Sequence, residues 1–387
     1  MKKVDFTYCY GCGVCAVVCP KKAIAIDVNK DGFLQPVVNT SCVECGMCLR
    51  VCAFNDKEHS RPIDAIVPVS AASWSLDENI RYECTSGGAA YEIERHLISK
   101  GFKAVVVRYN VSSHTAEHYI ASTEEELKDS VGSKYIQSYT YDAFSKLDKD
   151  EKYLVVGTPC QMDSLRRYIR SRKMEDNFIL IDFFCHGVPS MLMWKRYLDV
   201  VEQKIGKFDG IIWRDKETGW HDSWVMKVAG KYSSWFSKGD LFYQMFLGDR
   251  CLGKACYDNC KYKYDKSAAD IRIGDLWGRT YENDEDGVNG VVCFTQKGKD
   301  LLNEMQSVIH IESSSLEIVG ESQMKKCAHK PMSYKYVMKH LKLETPLSQI
   351  HKIASCIELL ERIPSKIKYY IKRFPSKLVE VFKKFKA

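Results

Sequence analysis

The chain has 387 residues, 45% hydrophobic and 28% charged, an ordinary composition for a soluble globular protein and enough for a small module plus one large or two modest domains. No apolar stretch approaches the roughly 18 residues needed to span a bilayer, which argues against an integral membrane protein. The net charge of +7 does not imply nucleic-acid binding, because nine Lys or Arg against the single acid Glu380 lie between Arg362 and Ala387 and the rest of the chain is close to neutral.

The first fifty-two residues carry two cysteine runs, Cys9, Cys12, Cys15, Cys19-Pro20 and Cys42, Cys45, Cys48, Cys52, offset by 33 with Gly13 and Gly46 in register. In the Cys-x2-Cys-x2-Cys-x3-Cys spacing, three thiolates on one tight loop take three corners of a 4Fe-4S cubane, and the fourth lies too far along and serves the other cluster. Cys9, Cys12, Cys15 and Cys52 are therefore assigned to one cluster, and Cys42, Cys45, Cys48 and Cys19 to a second. The segment resembles the two-cluster bacterial ferredoxin, with Ala53 after Cys52 where that pattern has proline. An α+β ferredoxin-like module is expected over 1–58. A disulfide framework is disfavoured because Met1-Lys2-Lys3 leads straight to Asp5 and the first cysteine loop with no secretory leader, so a cytoplasmic protein is expected. Structural zinc would use two separated Cys-x2-Cys pairs rather than a repeated run of four.

After a polar linker, Asp56 to Pro62, a second domain is expected over 65–345. Helical patterns over 87–100, 123–130, 160–171 and 189–203 alternate with apolar strand-like runs at 104–109, 153–156 and 178–183. Apolar strands separated by helices predict an α/β domain with a mainly parallel or mixed sheet, whose ligand would sit at the carboxyl ends of the strands. The loops there are Thr85-Ser86-Gly87-Gly88, Gly132-Ser133-Lys134-Tyr135, Gly157-Thr158-Pro159-Cys160-Gln161 and Cys185-His186-Gly187. From Gly210 onward the text is aromatic-rich and less periodic, predicting an α+β continuation. Cys251, Cys256 and Cys260 form a third cysteine group, for which Cys185 and Cys160 are alternative fourth ligands; Cys84, Cys293, Cys327 and Cys356 read as isolated buried thiols. Over 346–387 a basic amphipathic helical tail, interrupted by Pro364 and Pro375, fits an anionic membrane surface or a docked position on its own domain or a partner equally well.

The order of Ser86-Gly87-Gly88, Gly132 to Tyr135, Gly157 to Gln161, Cys185-His186-Gly187 and Gly274-Asp275-Leu276-Trp277-Gly278 resembles the coenzyme F420 hydrogenase/dehydrogenase beta-subunit family over roughly 65–345. The resemblance implies a flavin, FAD rather than FMN, held by Ser86, Gly87, Gly88, Gly132, Ser133, Lys134, Tyr135, Gly157, Thr158, Pro159, Cys160 and Gln161. It also implies a third 4Fe-4S cluster on Cys185, Cys251, Cys256 and Cys260. The Cys256-x3-Cys260 spacing is one residue wider than the family pair. Lys134, Cys160 and His186 become the candidates for chemistry at the flavin, although a lone loop histidine also reads as a hydrogen-bonding residue. The function implied is a flavin-dependent iron–sulfur oxidoreductase joining one-electron transfer to hydride chemistry. Its partners would be an electron donor or acceptor protein, F420 or another small-molecule substrate. The alternative is a non-catalytic electron-transfer subunit of a larger redox complex, with the tail allowing peripheral contact with the inner face of a membrane.

Overall fold

A computed structural model describes residues 6–258, 260–321, 323 and 325–362. The amino-terminal module holds two short helices, α1 (Val14–Val17) and α2 (Met47–Arg50), and an antiparallel pair, β1 (Ile24–Val28) with β2 (Leu34–Val38). Each helix starts directly after a glycine in the left-handed region, Gly13 at φ 73° and Gly46 at φ 76°. A side chain at either position would be strained, so the glycines let each cysteine loop turn sharply into its helix.

The second domain is built on a nine-stranded mixed sheet of order β14-β3-β13-β12-β8-β7-β4-β5-β6. In chain order its strands are β3 (Ala65–Ser75), β4 (Lys103–Asn110), β5 (Thr115–Ala121), β6 (Ser138–Tyr139), β7 (Tyr153–Val156) and β8 (Phe178–Phe183). Strands β9 (Ile211–Ile212), β10 (Val225–Val228) and β11 (Tyr232–Trp235) form a separate small sheet, and β12 (Ile271–Asp275), β13 (Asn289–Thr295) and β14 (Ile309–Ser314) return to the large one. Strands β4, β7, β8 and β12 run parallel, and β13, β3 and β14 extend them in antiparallel register. The parallel strands read as continuous apolar runs because helices and the amino-terminal module cover both faces.

On one face lie α3 (Ala89–Ser99) and the helix Gln296–Glu304, with Ile93, Leu97, Leu301 and Leu302 packed on Ile181, Ile271 and Val291. On the other lies α4 (Pro159–Ser171), whose Met162, Leu165 and Ile169 share a core with Val155, Leu180 and the module's Val14 and Val51. The start of α4 follows from its sequence: Thr158 and Gln161 complete a capping box, with proline at the first helical position. A third core gathers α5 (Met191–Ile205), α6 (Leu241–Phe246) and the small sheet around Trp194, Trp213 and Phe242.

The aromatic-rich region does continue as α+β, but β12 and β13 sit in the middle of the main sheet, a placement that local periodicity cannot reveal. After α7 (Lys254–Asp258) and α8 (Tyr334–Lys342), helix α9 (Leu347–Arg362) docks on its own domain. Ile350 and Ala354 are fully buried there, and Glu358 takes Arg250 at 2.7 Å. The basic stretch from 363 to 387 lies outside the described residues.

Candidate functional site

The structure brings the amino-terminal cysteines together around two small pockets, with Cys48 lining both. Cys9, Cys12, Cys15 and Cys52 surround one small pocket with Tyr10 and Phe54, and Cys19, Cys42, Cys45 and Cys48 surround another. Burial pushes the Cys9 thiol up to about 12 and the Cys12 thiol up to about 11, and in each case a neighbouring thiol of the set adds to the rise. Such a group resists ionising on its own account and fits a positively charged iron core that takes thiolates and releases their protons. Among the described residues no three His, Cys, Asp or Glu converge tightly enough for a single metal ion.

A third cysteine cluster lies between the module and the sheet, and its membership differs from the sequence expectation. The Cys185-His186-Gly187 turn lies against α7: a Cβ added at Gly187 would meet Cys256 Cβ at 3.4 Å. Burial is the main cause of the raised Cys160 and Cys185 thiols, followed for Cys160 by the charges of Cys185, Cys256 and Cys12, and for Cys185 by relief from Lys263 against Cys256 and Cys260. Cys160 thus neighbours Cys185 and Cys256, and Cys185 neighbours Cys256 and Cys260. Cys251 is not among them: its carbonyl accepts from Ser190 N at 2.9 Å, and its fully buried thiol belongs to the aromatic core around Trp194 and Phe242. Cysteine spacing gives chain distance but not direction, so proximity in sequence does not bring Cys251 into the group. Cys327, read as an isolated thiol, instead donates to the Cys260 carbonyl at 3.3 Å and draws the Cys260 thiol down.

At the carboxyl ends of β4, β7, β8 and β12 the sheet opens into a cavity of about 330 Å³, within the range of small-molecule sites and in the place such sheets hold their ligands. Its walls include Ser86, Gly88, Gly132, Ser133, Lys134, Tyr135, Gly157, Thr158 and Gln161. Three expected residues do not line it: Gly87, Pro159 and Cys160. The start of α4 has two sides. Thr158 and Gln161 face the cavity, whereas the Cys160 thiol, 3.2 Å from the Thr158 hydroxyl, belongs to the cysteine cluster. His186 also lies outside the cavity, paired with Asp249 at 2.7 Å and packed edge-on against Phe246, which favours its hydrogen-bonding reading.

Gly87 serves packing. A Cβ there would stand 2.7 Å from the Ser73 carbonyl and 2.9 Å from Asn289 N, both backbone atoms that cannot swing aside. Gly87→Ala should therefore cost about 1–3 kcal/mol through overpacking and distort the loop carrying Ser86 and Gly88; a lower urea midpoint, measured beside wild type, is the check.

Lys134 is half-buried and donates to the carbonyls of Ser130 at 2.7 Å, Val131 at 3.0 Å and Asp129 at 3.3 Å, while desolvation lowers its ammonium to about 8. It thereby pins the Gly132–Tyr135 loop and places a positive charge in the cavity wall. The sequence reading missed several residues here. Arg214 lies 4.5 Å from the Trp224 ring centroid and 5.3 Å from that of Trp277, reaches Asp275 at 3.3 Å and donates to the Tyr135 hydroxyl at 3.2 Å. Lys216 ties the Ser86 carbonyl at 2.7 Å. Glu94 lines the cavity and is nearly buried. Nothing in a local window distinguishes these residues from surface charges.

Residues 8–55 match the family described as 4Fe-4S dicluster domain, and residues 150–318 match the carboxyl-terminal part of the coenzyme F420 hydrogenase/dehydrogenase beta-subunit family. The chain is 21% identical over 363 residues to a coenzyme F420-dependent sulfite reductase of Methanocaldococcus jannaschii, covering 84% of this chain and 50% of that protein. It is 24% identical over 207 residues to a coenzyme F420 hydrogenase subunit beta of Methanococcus voltae, covering 52% of this chain and 66% of the other. The chain thus spans about half the length of the first relative and just under two thirds of the second. A chain in the F420-reducing [NiFe] hydrogenase complex from Methanosarcina barkeri superposes with a TM-score of 0.46 at 15% identity, over 76% of this chain and 94% of that one. By these matches residues 8–55 are similar to 4Fe-4S dicluster domains, and residues 150–318 are similar to the carboxyl-terminal part of the coenzyme F420 hydrogenase/dehydrogenase beta-subunit family.

Proposed function

We propose that this protein is a flavin-dependent iron–sulfur oxidoreductase in which the amino-terminal module over 1–58 is the electron port and the domain over 65–345 holds the reacting site. Electrons would pass between an external donor or acceptor, the two amino-terminal clusters, a third 4Fe-4S cluster and a flavin, FAD, in the cavity. The observation that carries this reading is the two-sided start of α4, where a single turn of helix presents Cys160 to the cysteine cluster and Thr158 and Gln161 to the cavity. Cys12 of the first amino-terminal set is close enough to act on the Cys160 thiol, which supports an order of port, third cluster and cavity.

The residues fit the groups assigned to them. Cys160, Cys185, Cys256 and Cys260 are the ligand set proposed for the third cluster, with Cys327 in support beside Cys260. For the flavin, the cavity offers the Gly132–Tyr135 loop and the start of α4, with Lys134 as a fixed cation that would favour an anionic reduced ring. A flavin supplies the exchange between paired electrons and the single electrons that clusters carry. The chain's own part is to hold the ring, exclude water and set the charge around it. F420 or another small organic molecule would then be the hydride partner, in keeping with the names of the relatives.

Anaerobically purified and reconstituted protein should release stoichiometric flavin on acid treatment. Its flavin absorbance should bleach with at least one of reduced F420, NADH, NADPH or reduced ferredoxin offered in parallel. Reconstituted protein with full iron and no bound flavin sinks the proposal. Bound flavin that bleaches only with a protein donor would favour an electron-transfer subunit over an enzyme with its own small substrate.

A further inference from the structure

Glu94 is the one acidic side chain of α3 that reaches the cavity, and the surrounding structure gives it no partner. Its residue is 6% exposed, and among the described residues no hydrogen bond or ion pair holds its carboxyl. Its neighbour on the same helix, Glu92, is satisfied by the Ser75 hydroxyl at 2.5 Å and Arg95 at 3.2 Å. The nearest cation, Lys134, faces Glu94 but turns its ammonium to three backbone carbonyls. With no protein partner, the carboxyl opens into the cavity it lines, where a bound ligand would satisfy it.

The groups facing it define its charge state. Lys134 approaches from the 130–135 loop, Cys84 from the turn before α3, Tyr119 from β5 and Tyr91 from its own helix, while β4 contributes only Val106 and Val107 to this part of the wall. Arg95 and Glu124, from the helix packed beside α3, neutralise each other at 2.8 Å. Burial outweighs the pull of Lys134 and lifts the Glu94 carboxyl to about 8, which leaves it a protonated donor at neutral pH.

We propose that Glu94 is the proton donor of this cavity, serving a nitrogen-containing heterocycle that accepts two electrons there; the inference rests on the flavin reading above. The clusters, when present, would supply the two electrons one at a time. The Glu94 O–H bond would break, its electron pair staying on the carboxylate and its proton passing to a ring nitrogen, and the charge that the two electrons bring would be relieved when the carboxylate is reprotonated. The carboxylate regains a proton from solvent through the cavity mouth, and in the opposite direction it takes the ring proton as the clusters are reduced. A protonated buried carboxyl near the working pH is well placed for this, since general acids act best with a pKa close to ambient.

The test uses the full chain, reconstituted anaerobically, as wild type, Glu94→Gln and Glu94→Asp. Three quantities are read: flavin released by acid, the bleaching rate after mixing with reduced methyl viologen between pH 6 and 9.5, and the protonated-carboxyl band in the reduced-minus-oxidised infrared spectrum. Wild type should bleach more slowly as the pH rises through about 8. Glu94→Gln should hold the same flavin, bleach about 100-fold more slowly with no pH dependence, and lose the infrared band; Glu94→Asp should restore the band and the pH dependence. Glu94→Gln with full flavin and the wild-type rate and pH profile overturns the role of Glu94 alone. Wild type that holds no flavin overturns the function on which the role rests.

Discussion

Cys185→Ser should strip one cubane from the reconstituted protein, lowering bound iron by about a third, whereas Cys251→Ser should leave iron unchanged. The resemblance to the family places both cysteines on the third cluster. The structure separates them: Cys185 stands with Cys160, Cys256 and Cys260, while Cys251 is buried in the aromatic core. On the proposed route, loss of the third cluster would remove the step between the amino-terminal clusters and the cavity. Bleaching of a bound flavin by a one-electron donor should therefore slow by more than the roughly 10–100-fold that follows loss of a mere supporting group. Cys160→Ser should behave as Cys185→Ser does. Iron analysis, cluster spectra and stopped-flow bleaching on the three variants decide it; retention of full iron by Cys185→Ser, or loss of a cubane from Cys251→Ser, removes the proposed ligand set.

The contrast between the cysteine groups shows what a sequence can carry. The amino-terminal sets are legible because each cubane takes three ligands from one tight loop, so the chemistry is written in local spacing. The third set draws on separate loops, and its members are as far apart in the chain as Cys160 and Cys260. Cys160 could be placed at a helix start from Thr158-Pro159 and Gln161, yet no local pattern tells that its thiol leaves the cavity its neighbours line. The parallel strands β4, β7 and β8 were readable as apolar runs between helices. The insertion of β12 and β13 beside them depends on pairings such as Ile271 with Ile181 and Val291 with Ala71, across separations no periodicity spans. Glu94 shows the limit in another form: in Ala-Ala-Tyr-Glu-Ile-Glu-Arg it looks like one of several solvated helix charges, and only the sheet beneath it makes it a cavity wall.

Arg272→Leu should destabilise the protein by about 3–5 kcal/mol, a larger loss than the overpacking at Gly87. Arg272 and Asp182 are directly opposed on the parallel strands β12 and β8 and both are fully buried. The guanidinium grips the carboxylate with two parallel bonds, Nε to Oδ1 at 2.6 Å and Nη2 to Oδ2 at 2.7 Å, and also donates to the carbonyls of Tyr264 at 3.0 Å and Lys266 at 3.1 Å. Ser267 completes the group by donating to Asp182 at 2.6 Å. Removing the arginine leaves a carboxylate deep in the sheet with a single hydroxyl donor, and frees two carbonyls of the segment that leads from Cys260 into β12. The cost arises from the stranded charge more than from the lost attraction, because a well-packed apolar pair in the same place can be as stable as the ion pair. Arg272→Leu with Asp182→Leu should accordingly recover a large part of the loss. Against a total stability on the order of 5–15 kcal/mol, the single variant should unfold at far lower urea concentration than wild type and the double variant in between. Since these strands lead directly to Cys185 and to the cavity residues Gly274 and Asp275, the single variant should also retain less of the third cluster's iron. Equal urea midpoints for the single variant and wild type would show that the pair does not hold the centre of the sheet.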